Sequence, residues 1–412
     1  MNLLIYNLLI LILIPVFGFR IMIKSISDKD YRSNFLQRFG FNLSSIANKN
    51  KKVIWFHAVS LGEVIGSQGI INKLLIKDFE VIITTTTPSG HRRAKEIYND
   101  DVIINYMPWD FSPFINRFIN FYKPQGILIF ETEIWPSMIS CAYKKNVPLY
   151  LVNGRLSQKS YQAYSMFLWF MKKILRQVTF YFVQNENHMQ RFLKLGVDKD
   201  KIKTVGSVKF DISTHEIREI VSPPFILGGS THHGEEKLLL KAFKKFVNKR
   251  ELKLFLCPRH PERADQIVKR AIKMGFKTKL FSTINSHSFD VCVIDSIGML
   301  PSFYAASSMA FVGGSLVPRG GHNLIEPAAL GSPIIVGPHT FNFEDIVNQF
   351  EQAQACIRVS DDYELLAAIE LFANDNDAAE KYAFNAKEIV NKNKGSTDIQ
   401  ASYIITELGE KN

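Results

Sequence analysis

Cysteine is scarce in this chain: four residues in 412 (Cys141, Cys257, Cys292 and Cys356), with no CxxC pair and no Cys/His cluster. That spacing speaks against a disulfide framework or a zinc site and points to a reducing compartment. Two of the four lie inside apolar runs, where free cysteine packs as a small hydrophobe. GxGxxG and GxxxxGK[ST] are missing too, so neither a dinucleotide-type Rossmann site nor a P-loop ATPase has support. Charge is absent altogether from Leu3 to Phe19. No basic residue precedes that run and no small-residue cleavage site follows it, which excludes a secretory signal.

What is present is ordinary globular composition, 46% hydrophobic and 22% charged, in a chain long enough for two domains. The 50 Lys+Arg against 39 Asp+Glu leave a formal charge of +11, which suits an anionic partner: nucleic acid, an acidic membrane face or a phosphorylated substrate. The uncharged run LLIYNLLILILIPVFGF reaches the lower limit of about 17–25 residues for a membrane-spanning helix. Arg20, Lys24, Lys29, Arg32 and Arg38 follow it, so the positive-inside asymmetry places the rest of the chain in the cytoplasm. A helix that spans the membrane or one that lies in it are both compatible with this pattern.

Beyond the anchor, short apolar runs alternate with amphipathic segments. Strands are expected at Val53–Val59, Val81–Thr87, Gly126–Glu131, Pro148–Asn153 and Val178–Asn185, then at Phe225–Ser230, Leu252–Pro258, Val291–Asp295, Met309–Gly314 and Pro333–Gly337. Runs apolar at nearly every position suit parallel strands covered on both faces, and the alternation with helices defines a doubly wound α/β class. Ser222-Pro223-Pro224 reads as a linker. The expected organisation is therefore an anchor at 1–22, a domain at 23–212, a linker at 213–224 and a second α/β domain at 225–412. The tail beyond Glu380 reads as helical with a break at Lys394-Gly395-Ser396. Ligands of such sheets bind outside the carboxyl ends of the strands, so two facing crevices would form a cleft for two substrates.

Those strand ends carry the chemistry-bearing motifs. Glu63 follows Gly62 where a strand turns into a helix, a place that a helix-start carboxylate also favours through the helix dipole. Thr84 to Arg93 offers hydroxyls at a strand end. In FETEIWP, Glu131 and Glu133 both emerge from an apolar strand, where desolvation without a partner is costly, and Arg155 of NGRLS is a candidate partner for either. Lys209 lies between apolar neighbours just before the linker. Arg259 in LCPRHPER offers a planar fork suited to phosphate. In Phe311 to Asp345, paired glycines lead to His322-Asn323 and a helix with Glu326, placed to accept hydrogen bonds from ribose hydroxyls, while the glycines would let a phosphate approach the backbone amides at the helix start.

The run GGHNLIEPAALGSPIIVGP resembles the nucleotide-binding segment of GT-B glycosyltransferases. Together with SLGE, ETEIWP, NGRLS, GSVKFD, GGSTHHGEE and PRHPER, it resembles the 3-deoxy-D-manno-octulosonic acid (Kdo) transferases of lipopolysaccharide synthesis over nearly the whole chain. The resemblance implies a GT-B fold, a CMP-Kdo donor and a lipid A precursor acceptor (lipid IVA). It further implies inversion at the anomeric carbon, no metal or cofactor, no nucleic acid, and a place at the cytoplasmic side of the inner membrane. By position, Glu63 would be the general base, and Glu131 and Lys209 would stabilise the transition state, with Glu133 an alternative to Glu131. Pro258, Arg259, the turn Ile297, Gly298 and Met299, and Asn323, Leu324, Ile325 and Glu326 would hold CMP. The family carries a glutamate where Met299 stands, so contacts there would come from the backbone. DxD strings at Asp28–Asp30, Asp198–Asp200 and Asp375–Asp377 sit in polar, cap-like surroundings, unlike the loop of metal-dependent transferases. Two other readings are another GT-B nucleotide-sugar enzyme acting on a lipid and a non-catalytic membrane-tethered binding protein.

Overall fold

The computed structural model describes residues 2–46, 50–211, 217–220, 222–246, 252–284 and 288–409. Of the expected linker at 213–224, residues 213–216 and 221 lie outside the described residues. The chain divides into two compact units, Met1–Asp211 with Asn393–Asn412, and Ile212–Lys392.

The first unit is built on seven strands: β1 (Val53–His57), β2 (Glu80–Thr85), β3 (Ile103–Tyr106), β4 (Gly126–Phe130), β5 (Leu149–Gly154), β6 (Phe180–Val183) and β7 (Ile202–Thr204). Their order is β3-β2-β1-β4-β5-β6-β7, with every pairing parallel. All five residues of β1 and of β4 are buried, because helices cover both faces. Trp55 on β1 is wholly buried and still satisfies its indole N–H, which donates to Thr84 Oγ1 at 2.8 Å. The order reverses between β1 and β4, the switch point at which such sheets bind ligands.

The second unit repeats the plan with β8 (Phe225–Thr231), β9 (Lys253–Pro258), β10 (Thr278–Leu280), β11 (Val291–Val293), β12 (Met309–Val312), β13 (Ile334–Val336) and β14 (Ile357–Arg358). Their order is β10-β11-β9-β8-β12-β13-β14, again parallel throughout. Here the switch point falls between β8 and β12. All ten expected strands form. The four that the apolar pattern did not reveal (β3, β7, β10 and β14) are the edges of the two sheets.

Two expected boundaries move. The second domain was expected to run to residue 412, but the C-terminal helix Ser396–Gly409 belongs to the first unit. Asp211 caps its start, accepting from the backbone N–H of Gly395 and Thr397, both at 2.6 Å. Leu408 at its far end packs so closely on β4 that a Cβ at Gly126 would lie 2.7 Å from Leu408 Cδ1. The apolar N-terminal helix runs from Leu3 to Ser27, past the expected end at 22, with Pro15 inside it. It lies along the first unit. Tyr6 Oη donates to Asp110 at 2.8 Å, Asn7 Oδ1 accepts from Ser112 N at 2.7 Å, and Asp28 just past its end pairs with Arg92 at 3.2 Å.

Gln400 on the C-terminal helix is wholly buried, accepting from Asn153 N on β5 at 2.8 Å and donating to Ser396 Oγ at 2.7 Å. Gln400→Leu leaves a buried amide unpaired and should cost about 1–3 kcal/mol. A lowered urea midpoint for the first unit, with that of the second unchanged, is the expected reading. An unchanged first midpoint would show that the helix contributes no stability through this side chain.

Candidate active site

At the first switch point, β1 ends and the helix Leu61–Ile76 begins with Ser60 at its N-cap. Glu63 folds back over that start. Its Oε2 accepts from Val59 N at 2.8 Å and its Oε1 from Ser60 Oγ at 3.1 Å, a variant of the capping box. Burial, with lesser contributions from the charges of Glu131 and Glu133, pushes Glu63 up to about 8. Glu133 is raised as well, chiefly by burial and secondly by Glu131. The two strands flanking the switch point thus bring three carboxylates into one electrostatic neighbourhood.

Glu131 is held in the left-handed region at φ 63°, a strained conformation for a residue with a side chain. Lys209 Nζ lies 3.9 Å from its Oε1. Lys209 belongs to the turn Val208–Phe210, which Asn153 secures: its Oδ1 accepts from Val208 N at 3.2 Å. Since Asn153 is in turn fixed by Gln400, the C-terminal helix supports Lys209 from beneath. Arg155 meets Glu131 through its backbone, N to O at 3.4 Å, and among the described residues Lys209 is a cation within 4 Å of the Glu131 carboxylate.

The threonine run serves the scaffold. Thr84 is buried beneath His57, with Oγ1 2.9 Å from Nδ1, and burial lowers His57 to about 4, so it is neutral. Thr87 caps the helix Pro88–Tyr98 by accepting from Gly90 N at 3.2 Å. Asp110, which no motif singled out, is buried and accepts from Ser137 N and Met138 N, both at 2.9 Å, fixing the helix that follows ETEIWP.

At the second switch point, the loop after β12 runs through Gly320-Gly321 to the helix start at Asn323–Glu326, where amides were expected to meet a phosphate; the earlier part of this loop is engaged within the protein. The buried carboxylate of Glu235 takes Gly314 N (2.8 Å), Ser315 N (3.0 Å) and Leu316 N (2.9 Å), and also His232 N (2.8 Å). Glu235 escaped attention because a glutamate at a helix start is unremarkable in sequence; its four amides come from two different loops. Next to it, buried Glu236 pairs with Arg263 at 2.9 Å.

The expected nucleotide residues gather at strand ends of this unit. Pro258 is buried at the end of β9, and Arg259 beyond it is exposed. Leu324 and Ile325 are fully buried, so only their backbones are available to a ligand. Asn323 Oδ1 accepts from Ile325 N at 3.1 Å. Burial raises Glu326, whose carboxylate has no hydrogen-bond partner among the described residues. Ile297 is 87% exposed, and Gly298 turns the chain at φ 83° toward half-buried Met299. Among the described residues no group of three or more His, Cys, Asp or Glu could hold a metal ion.

Two Rossmann-like units, each with polar loops at its switch point, define the GT-B class of glycosyltransferase. MurG of Acinetobacter baumannii shares the fold, at 12% identity and a TM-score of 0.56 over 86% of this chain and 99% of that one. The family described as "3-Deoxy-D-manno-octulosonic-acid transferase (kdotransferase)" matches residues 33–212. The 3-deoxy-D-manno-octulosonic acid transferase of Haemophilus influenzae is 32% identical, covering 95% of both chains. That of Bordetella pertussis is 30% identical over 75% of this chain and 76% of its own. This chain belongs to the Kdo transferase family, and it is an enzyme.

The raised Glu63 has a consequence for stability. Between its ordinary 4.5 and about 8, the folded protein keeps a proton that the unfolded chain has released. The contribution is therefore present below the lower value and lost as pH rises through the upper one. The stability of the parent relative to Glu63→Gln should fall from pH 5 to pH 8.5 in urea titrations. A difference flat with pH would mean that Glu63 titrates normally.

Proposed function

We propose that the protein transfers Kdo from CMP-Kdo to a lipid A precursor, lipid IVA, with inversion and without a metal. The observation that carries this reading is the grouping of Glu63 and the Glu131–Lys209 pair at the first switch point, in a chain of this family. Glu63 takes the proton from the acceptor hydroxyl as its oxygen attacks the anomeric carbon. The bond from that carbon to the phosphate oxygen breaks, and CMP leaves with the electron pair. Lys209, held by Glu131, offsets charge that develops in the transition state. Among the described residues Glu133 has no such cation at that distance, which favours Glu131 as the working member of ETE. Arg259 meets the phosphate, and unpartnered Glu326 receives the ribose hydroxyls.

The N-terminal helix supports a membrane-bound reading. Side chains such as Leu4, Ile12 and Phe19 on its outer side are 64–70% exposed. Contacts at Tyr6–Asn7 and at Asp28 tie both ends of the helix to the same unit. A helix of 25 residues is about 37 Å long. Crossing a bilayer with it would break contacts at one end, so it lies along the inner leaflet with its apolar side in lipid. Arg20 and Lys24 then face anionic headgroups, with the catalytic units on the cytoplasmic side.

Glu63→Gln should slow turnover at least about a hundredfold with CMP affinity unchanged, since it keeps the size and removes the proton acceptor. The parent rate should climb with pH toward about 8, as the carboxylate ionises. A variant within a few-fold of the parent would remove Glu63 from the mechanism.

Glu326→Ala tests the donor side separately. Losing charged hydrogen bonds to ribose should weaken CMP by about 1–3 kcal/mol in calorimetric titration. An unchanged affinity would leave Glu326 a helix-start carboxylate only.

A further inference from the structure

The second unit has an open cavity of about 640 Å³ lined by His232, His233, His260, Arg263 and Arg319. None of these residues has a part in the donor reading above. Its carboxylates are already engaged: Glu235 by four amides, Glu236 by Arg263 and exposed Glu262 by His260 at 3.5 Å. Arg319 has no carboxylate within 4.0 Å among the described residues. The cavity wall is therefore short of negative charge.

Two of its loops are joined at one point. Glu235 Oε2 accepts from His232 N in the loop after β8 and from Gly314 N in the loop after β12. This clamp brings His232 Nε2 to 2.9 Å from His322 Nε2, with the rings nearly parallel at 10°. Gly314 at φ 71° leaves the room, since a Cβ there would sit 3.1–3.2 Å from the His322 ring. A hydrogen bond between two Nε2 atoms requires one to donate and the other to accept. Whichever ring accepts must then carry its proton on Nδ1. Neither Nδ1 has a hydrogen-bond partner among the described residues, so the neutral pair keeps one Nδ1–H unengaged there. Burial, then His232 and the nearby Arg259, hold His322 down to about 4, so the pair stays neutral near pH 7.

We propose that this cavity is an oxyanion subsite for the donor, in which the remaining Nδ1–H of the His232–His322 pair and the Arg319 guanidinium bind a compact anion. The proposal rests on the nucleotide-sugar reading. That donor carries two such anions, the phosphate and the carboxylate of the sugar acid. Glu235 already takes the amides of His232 and of Gly314 to Leu316, so on this cavity wall cationic and imidazole side chains are the donors open to an anion.

Calorimetry on the full chain in detergent with cytidine, CMP and CMP-Kdo tests it in the parent, His322→Asn and Arg319→Ala. Arg319 is exposed, so its variant folds whatever befalls the histidine. Both variants should keep the affinity for cytidine. A preference for CMP over cytidine that falls at least about tenfold assigns the phosphate. A preference for CMP-Kdo over CMP that falls alone assigns the carboxylate. If both preferences survive in both variants, the proposal is overturned, and if one variant alone is silent, that residue leaves the subsite. A parent with neither preference refutes the donor reading itself, a result distinct from variants that merely equal the parent.

Discussion

Both sheets consist of parallel strands covered on two faces, and that burial governs where anything polar can be placed. A strand such as β1, with no residue exposed, must find partners for its polar groups inside, as the Trp55 indole and His57 Nδ1 do in Thr84. Functional side chains must therefore wait for the strand to end. The reversal of strand order separates neighbouring loops at β1/β4 and at β8/β12; Glu63 and Glu131 follow the two strands of the first gap, and Glu235 follows β8 at the second.

The same carboxylates solve a second problem, the unsatisfied amides where loops become helices. Glu63, Asp110, Asp211 and Glu235 each accept backbone N–H groups, and each thereby fixes a strand-end loop or a helix start. Glu63 accepts one backbone N–H and one hydroxyl, and burial pushes it up to about 8. Glu235, with four amides, ties two loops together.

The interior strands were legible because an unbroken apolar run of five or six residues is what two-sided burial demands, as in Gly126–Phe130 and Leu149–Gly154. The edge strands were not. β14 has two residues and β7 and β10 have three, too short for any periodicity, and each pairs on one side only. Among site residues, Glu63, Glu131 and Lys209 could be found as polar residues directly after or between apolar runs. Gln400 and Asp211 could not, because their partners are respectively 247 and at least 184 positions away in the chain.

By itself the sequence determined the α/β class, the ten inner strands, the apolar N-terminal helix and the candidate residues at strand ends, all of which follow from local burial and charge. Tertiary structure alone decided that the C-terminal helix returns to the first unit, that the apolar helix is bonded at both ends, and that Glu235 takes the amides of Gly314 to Leu316. Each of these depends on donors and acceptors meeting across long stretches of chain. No local pattern encodes such a meeting, because a glutamate or glutamine reads the same whether its partner is solvent or a distant buried amide.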